Sequence, residues 1–190
     1  MLQIYTGTGK GKTTAAIGLA IRALGADKRI FFMQFMKGLA YSEQNILKNL
    51  SGNLILKTTG KPFFIAEEGM LSEKQKKEWG DDVVIFPAGK PPADYIALME
   101  AGFQEVVEAA LAQTYDMLIL DEINVALFFK LLSRKAIERF LLLCPPEIEI
   151  IMTGRNAPNW LIDRADLVTE MQEIKHYYTK GIQARRGIEN

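Results

Sequence analysis

The segment Thr6-Gly7-Thr8-Gly9-Lys10-Gly11-Lys12-Thr13-Thr14 places three glycines and two lysines within nine residues. Glycines permit positive φ and let successive backbone N–H groups point at one anion. A helix opening at Lys12 adds the positive end of its dipole. Lys12 then reaches phosphate oxygens, and the Thr13 hydroxyl is suited to a hard divalent cation. The usual phosphate loop puts its first glycine five residues before the glycine that precedes the lysine. That position is Thr6 here, so the loop is one residue tighter than the standard form, with Lys10 added.

A second group of chemically competent residues ends the run Met117-Leu118-Ile119-Leu120-Asp121-Glu122. Acids at the C-terminal end of a buried strand lie where ligands gather in open α/β sheets. Asp121 and Glu122, with Thr13, are therefore the candidate metal ligands for Mg²⁺ or Mn²⁺. The run Ile150-Ile151-Met152-Thr153-Gly154-Arg155 ends at the same edge and offers Arg155 to phosphate, although the pattern equally allows an ordinary surface arginine. His176 is the one histidine, and by itself it reads as structural or surface.

These residues need a scaffold. Apolar runs at Gln3–Tyr5, Ile30–Phe35, Leu54–Leu56, Val83–Phe86, Met117–Leu120 and Ile148–Met152 alternate with helical patterns. Ile17, Ala20, Ile21 and Leu24 share one helical face, with Gly25 as its expected terminator. Phe103, Val106, Val107, Ala110 and Leu111 mark another helix, and Ser133 is placed to cap a third. The expectation is an α/β fold of the P-loop NTPase-like, RecA-like kind: a mostly parallel sheet with helices on both faces. A length of 190 residues suits one domain spanning 1–190. An atypical segment at about 60–95, rich in proline, reads as a solvated surface insertion, a lid, or helix and strand with atypical joints.

The 23 basic residues balance 23 acidic ones, which argues against a broad nucleic-acid or membrane footprint. No apolar run reaches membrane-spanning length, and no signal segment precedes the first strand, so a cytoplasmic location is expected. Cys144 is the sole cysteine, which leaves it no intrachain disulfide partner and suggests a buried apolar role.

Taken in order, several segments resemble the P-loop ATP:corrinoid (cob(I)alamin) adenosyltransferases. They are the tight loop and helix start Thr6–Ala16, Gln34-Phe35-Met36-Lys37-Gly38, Ser42-Glu43-Gln44-Asn45, Leu120-Asp121-Glu122, Thr153-Gly154-Arg155, 165–171, Ile174–Tyr178 and Gly181–Glu189. The resemblance implies ATP bound in reverse, with its 5′ carbon open to attack by the reduced cobalt, Co(I), of a corrinoid such as cobalamin or cobinamide. Gly7, Thr8, Gly9, Lys10, Gly11, Lys12, Thr13 and Thr14 would hold phosphates, with Lys37, Glu43, Phe63 and His176 also on substrate. Lys12, Glu122 and Arg155 would carry catalysis. A homodimer and a flavodoxin-like or other reductant are implied as well. Family members often carry Gly-Phe-Thr-Trp where this chain reads Gly60-Lys61-Pro62-Phe63-Phe64, so Phe63, with Phe64, becomes the candidate apolar wedge against the lower cobalt ligand. Both rings also read as core residues. An ordinary P-loop ATPase or kinase, or a corrinoid-binding protein without turnover, are the alternatives.

Overall fold

The computed structural model describes residues 1–189. Six parallel strands form the main sheet: β1 (Leu2–Thr6), β2 (Ile30–Phe35), β3 (Leu54–Thr59), β6 (Met117–Asp121), β7 (Glu149–Thr153) and β8 (Leu167–Glu170), in the order β3-β2-β6-β7-β1-β8. A separate two-stranded parallel sheet joins β4 (Phe64–Glu67) to β5 (Val83–Phe86). The helices are α1 (Lys12–Leu24), α2 (Ser42–Leu47), α3 (Glu73–Trp79), α4 (Ala93–Leu111), α5 (Ile123–Phe128), α6 (Arg134–Leu143) and α7 (Asn159–Ile162).

Alternation along the strands builds two cores, because successive side chains leave opposite faces of a sheet. Ile30, Phe32, Ile119 and Ile151 meet the small face of α1, made of Ala16, Ala20 and Ala23. Phe31, Met33, Leu118, Leu120, Ile150 and Met152 meet Met99, Phe103 and Val106 of α4, together with Ile137 and Phe140 of α6. Each fully buried Phe or Leu contributes about 1.5–3 kcal/mol against leaving it in water. Helices thus cover both faces, which is why the central strands are apolar except toward their ends.

Several joints depart from the sequence expectation. Gly25 ends α1 at φ −64°, and Asp27, at φ 58°, takes the left-handed turn instead. The backbone N–H of Lys28 bonds the Ala23 carbonyl, so the reversal falls two residues beyond the glycine. The run Val83–Phe86 is a strand, but it pairs with β4 and not with the main sheet. Between β4 and β5, α3 crosses over, capped by Ser72 and Gln75 and carrying no buried residue. Cys144 is half-buried at the end of α6, and burial raises its thiol pKa. Ser133 caps α6 as expected, accepting from the Ala136 N–H.

The topology decides what meets at the functional edge. Because β7 lies between β1 and β6, the ends of all three strands converge beside the loop that follows β1.

Candidate functional site

The loop after β1 turns into α1 at Gly11, whose φ of 117° is a conformation that side chains with a Cβ rarely adopt. Its outer side is walled by the chain beyond β8. The Gly9 N–H donates to the Met171 carbonyl at 2.6 Å, and the Glu173 N–H donates to the Thr8 hydroxyl. A Cβ on Gly7 would stand 2.4 Å from Met171 O, and one on Gly9 would stand 2.8 Å from Gln172. The glycines therefore admit a neighbouring backbone as well as an anion. One N–H that the sequence reading assigns to the anion nest is spent on Met171.

Lys12 is buried and folded back, donating to Gly7 O at 2.8 Å and Gly9 O at 2.6 Å. Burial lowers its pKa from the usual lysine range, with Glu122 and Asp121 opposing the shift.

At the end of β6, Asp121 is fully buried and gathers three elements. Its Oδ1 accepts from Thr13 at 2.9 Å and from Thr153 at 2.6 Å. Its Oδ2 faces Lys37 Nζ at 3.0 Å and Gln34 Nε2 at 3.3 Å. Lys37 and Gln34 also reach Glu43, each at 3.1 Å, and Gln44 donates to Gln34. Burial alone would lower Lys37, but Asp121 and Glu43 outweigh it and hold the ammonium above its ordinary value. Such a network fixes geometry because every member is engaged.

Glu122 follows in the left-handed region, at φ 62°, with its N–H held by the Thr153 hydroxyl at 3.0 Å. This backbone turn aims the Glu122 side chain into the cleft while Asp121 stays inside. Burial, then the negative charge of Asp121, raises the Glu122 carboxyl to about 7. Lys37, Lys12 and Arg155 restrain the shift without cancelling it.

The cleft has a volume of about 920 Å³ and runs from Gly9–Thr14 past Lys37, Glu43, Glu122 and Arg155 to an aromatic end. Phe63 meets Tyr95 edge-on at 6.0 Å, and Phe64, 43% exposed, meets Trp79 edge-on at 4.9 Å. Lys61 Nζ lies 5.8 Å from the Phe63 ring. His176, whose Nδ1 accepts from the Tyr178 N–H, and Ile188 complete the wall.

The structure thus brings Gly9, Lys10, Gly11, Lys12, Thr13, Thr14, Lys37, Glu43, Phe63, Glu122, Arg155 and His176 onto one cleft. It leaves Gly7, Thr8 and Asp121 behind the lining. Of the three candidate metal ligands, Asp121 is the one held inside, both its oxygens engaged by protein donors that include the Thr13 hydroxyl. Trp79, Tyr95, Tyr41 and Phe129 line the cleft and were not singled out by the sequence reading. No local spacing links them to the loop, and only the separate sheet brings Trp79 to Phe64.

Among the described residues, no group of three or more His, Cys, Asp or Glu side chains forms a metal cage. A hydroxyl at Thr13 and a carboxylate at Glu122 fit a hard cation that completes its shell with phosphate oxygens.

Comparison with known proteins follows the same line. A family model described as ATP:corrinoid adenosyltransferase BtuR/CobO/CobP matches residues 1–190. A corrinoid adenosyltransferase from a Sinorhizobium species is 31% identical over 100% of this chain and 79% of its own length. Corrinoid adenosyltransferase CobA of Salmonella typhimurium is 30% identical over 98% of this chain and 83% of its own length. Among solved structures, a KaiC-like protein of Pyrococcus horikoshii overlaps 92% of this chain and 74% of its own at 17% identity, with a TM-score of 0.44. That likeness is too loose to add to the topology described above.

Proposed function

The chain belongs to the ATP:corrinoid adenosyltransferase family, and from that premise we propose that it transfers the 5′-deoxyadenosyl group of ATP to the Co(I) centre of a corrinoid. Cobalt supplies the electron pair and forms the Co–C5′ bond. The C5′–O bond breaks, triphosphate leaves with its pair, and cobalt passes formally from Co(I) to Co(III). No proton moves at the reacting carbon, so no protein base is required.

The work left to the protein is orientation and neutralisation of the leaving group. Lys10, Lys12 and Arg155 on the phosphate side supply positive charge. Mg²⁺ or Mn²⁺ held by Thr13 and Glu122 would add further charge neutralisation when bound. Asp121 keeps the Thr13 hydroxyl proton turned inward, leaving its oxygen lone pairs for the cation.

One observation carries the reading: a single cleft joins a tight phosphate loop to an apolar, aromatic end. A phosphotransferase needs the first compartment; a second, large, flat substrate accounts for the other. Phe63, with Phe64, serves as the apolar wedge that keeps a polar lower ligand off cobalt. A flavodoxin-like or other one-electron donor supplies Co(I) from Co(II), and the working form is a homodimer; both rest on family resemblance.

The test is a complete reaction with MgATP and chemically reduced corrinoid. Phosphorus NMR should show triphosphate, equal in amount to the cobalt–carbon product seen by absorbance. Orthophosphate as the first product, released without corrinoid, would move the assignment to an ATPase or kinase.

A further inference from the structure

The segment following β8 is fastened at two separate places. One seam belongs to the phosphate loop: Met171 accepts from Gly9, and the Met171 N–H donates to Thr6 O at 2.9 Å. The other is a closed clasp formed by Glu189. Its carboxylate accepts from the Tyr177 hydroxyl, from the Arg185 backbone N–H at 2.7 Å, and from the Arg185 guanidinium at 3.1 and 3.3 Å. The guanidinium also lies 4.8 Å from the Tyr177 ring centre. The Glu189 side chain is 14% exposed while Arg185 is half-exposed, so the acid is the inner member.

The clasp has a consequence for the cleft. Gly187 and Ile188 sit within the loop that Glu189 closes, and the His176 ring lies 4.6 Å from the Tyr177 ring, tilted by 46°. All three line the cleft, and so does part of Glu189 itself. The same segment continues into a second cavity of about 550 Å³, which shares Phe64 and Trp79 with the first. Glu189 has its oxygens occupied by Tyr177 and Arg185, so it acts through the wall it braces. The seam at Met171 lies on the continuation of β8 and does not depend on the clasp.

We infer that Glu189 is a positioning residue for the corrinoid, bracing the wall of the aromatic end through Tyr177 and Arg185 while leaving the ATP end unaffected. This rests on the functional reading above, which puts the corrinoid at the aromatic end. A brace of this kind separates the two substrates: its loss weakens one affinity and spares the other.

The experiment titrates the wild type, Glu189→Ala, Glu189→Gln and Tyr177→Phe with cob(II)alamin by absorbance and with MgATP by calorimetry. Glu189→Ala should weaken corrinoid binding about tenfold, the scale of losing hydrogen bonds to a charged group. ATP affinity should stay within about twofold, since the other seam is intact. Glu189→Gln, which keeps acceptor oxygen, should recover part of the loss. Trypsin should cut the exposed Lys180, Arg185 and Arg186 faster in Glu189→Ala than in the wild type, with corrinoid protecting only the wild type. Unchanged corrinoid affinity, or equal losses for both substrates, would overturn the inference. If Glu189→Ala does not fold, Tyr177→Phe, which deletes one hydroxyl, decides by the same comparison. Binding is read without turnover, so a wild type that binds both substrates yet forms no cobalt–carbon bond would sink the functional reading alone.

Discussion

The ammonium of Lys12 lies 2.6 Å from the carbonyl oxygen of Gly9, within its own loop. The same nitrogen is 2.8 Å from Gly7 O, so the loop is closed around the side chain that should grip phosphate. Phosphate oxygens are stronger acceptors than carbonyls, because both partners are charged. Binding ATP therefore exchanges two neutral acceptors for an anionic one.

Lys12→Ala should lose about 2–4 kcal/mol of transition-state stabilisation, as other preorganised donors do. Steady-state kcat/KM for the adenosyl transfer is the measurement. A loss confined to the KM for ATP, with kcat unchanged, would make Lys12 a binding group without transition-state preference.

Glu122 gives the site a pH signature. Its folded value of about 7 lies above the 4.5 of an unperturbed glutamate. Between those values the folded state holds the extra proton, so stability falls as pH rises and levels off above the folded value. The full effect is ~3 kcal/mol at most. Urea unfolding of Glu122→Gln at pH 5 and pH 8 should lack this part of the wild-type difference. The same variant should need more metal for activity, and an unchanged metal requirement would remove Glu122 from the metal.

Two glycines should respond in opposite directions. Gly9→Ala drives a Cβ into the Met171–Gln172 backbone at 2.8 Å, and overpacking of this kind costs about 1–3 kcal/mol. Gly18, inside α1, has nothing within 4 Å of the added carbon. Gly18→Ala should stabilise by about 0.5–1 kcal/mol through helix propensity. Urea midpoints report both, and a neutral Gly9→Ala would show that segment 171–172 yields easily.

Phe63→Ala separates wedge from packing. In assays that reduce Co(II) on the enzyme, cobalamin should suffer much more than cobinamide, which lacks the lower base. Equal losses on both corrinoids in a folded variant would leave Phe63 as a partner of Tyr95 only.

Legibility followed locality. The phosphate loop, the acids after β6 and the cap at Ser133 are contiguous patterns, and they were readable because backbone and ligand demands act over a few residues. Five of the six strands of the main sheet announce themselves as apolar runs, most plainly the central ones, whose two faces are both covered. The sixth does not: every residue of β8 is exposed, so Leu167–Glu170 carries no burial pattern. Pairing was equally silent, and nothing in Val83–Phe86 says that it joins β4. Gly25 ends α1 as its position in the pattern implies, but the left-handed turn falls at Asp27, whose short polar side chain supports it. Trp79 and Tyr95 reach the cleft by tertiary contact alone, which no window along the chain can reveal.

The bond from Glu173 to Thr8 spans 165 positions, so the loop motif and its outer wall are made far apart in the order of synthesis. A nascent chain stopped before Met171 carries the whole glycine motif but lacks the backbone against which Gly7 and Gly9 are packed. The loop in its present geometry therefore waits on the synthesis of residues 170–173, and cannot be assembled while the growing chain stops short of them.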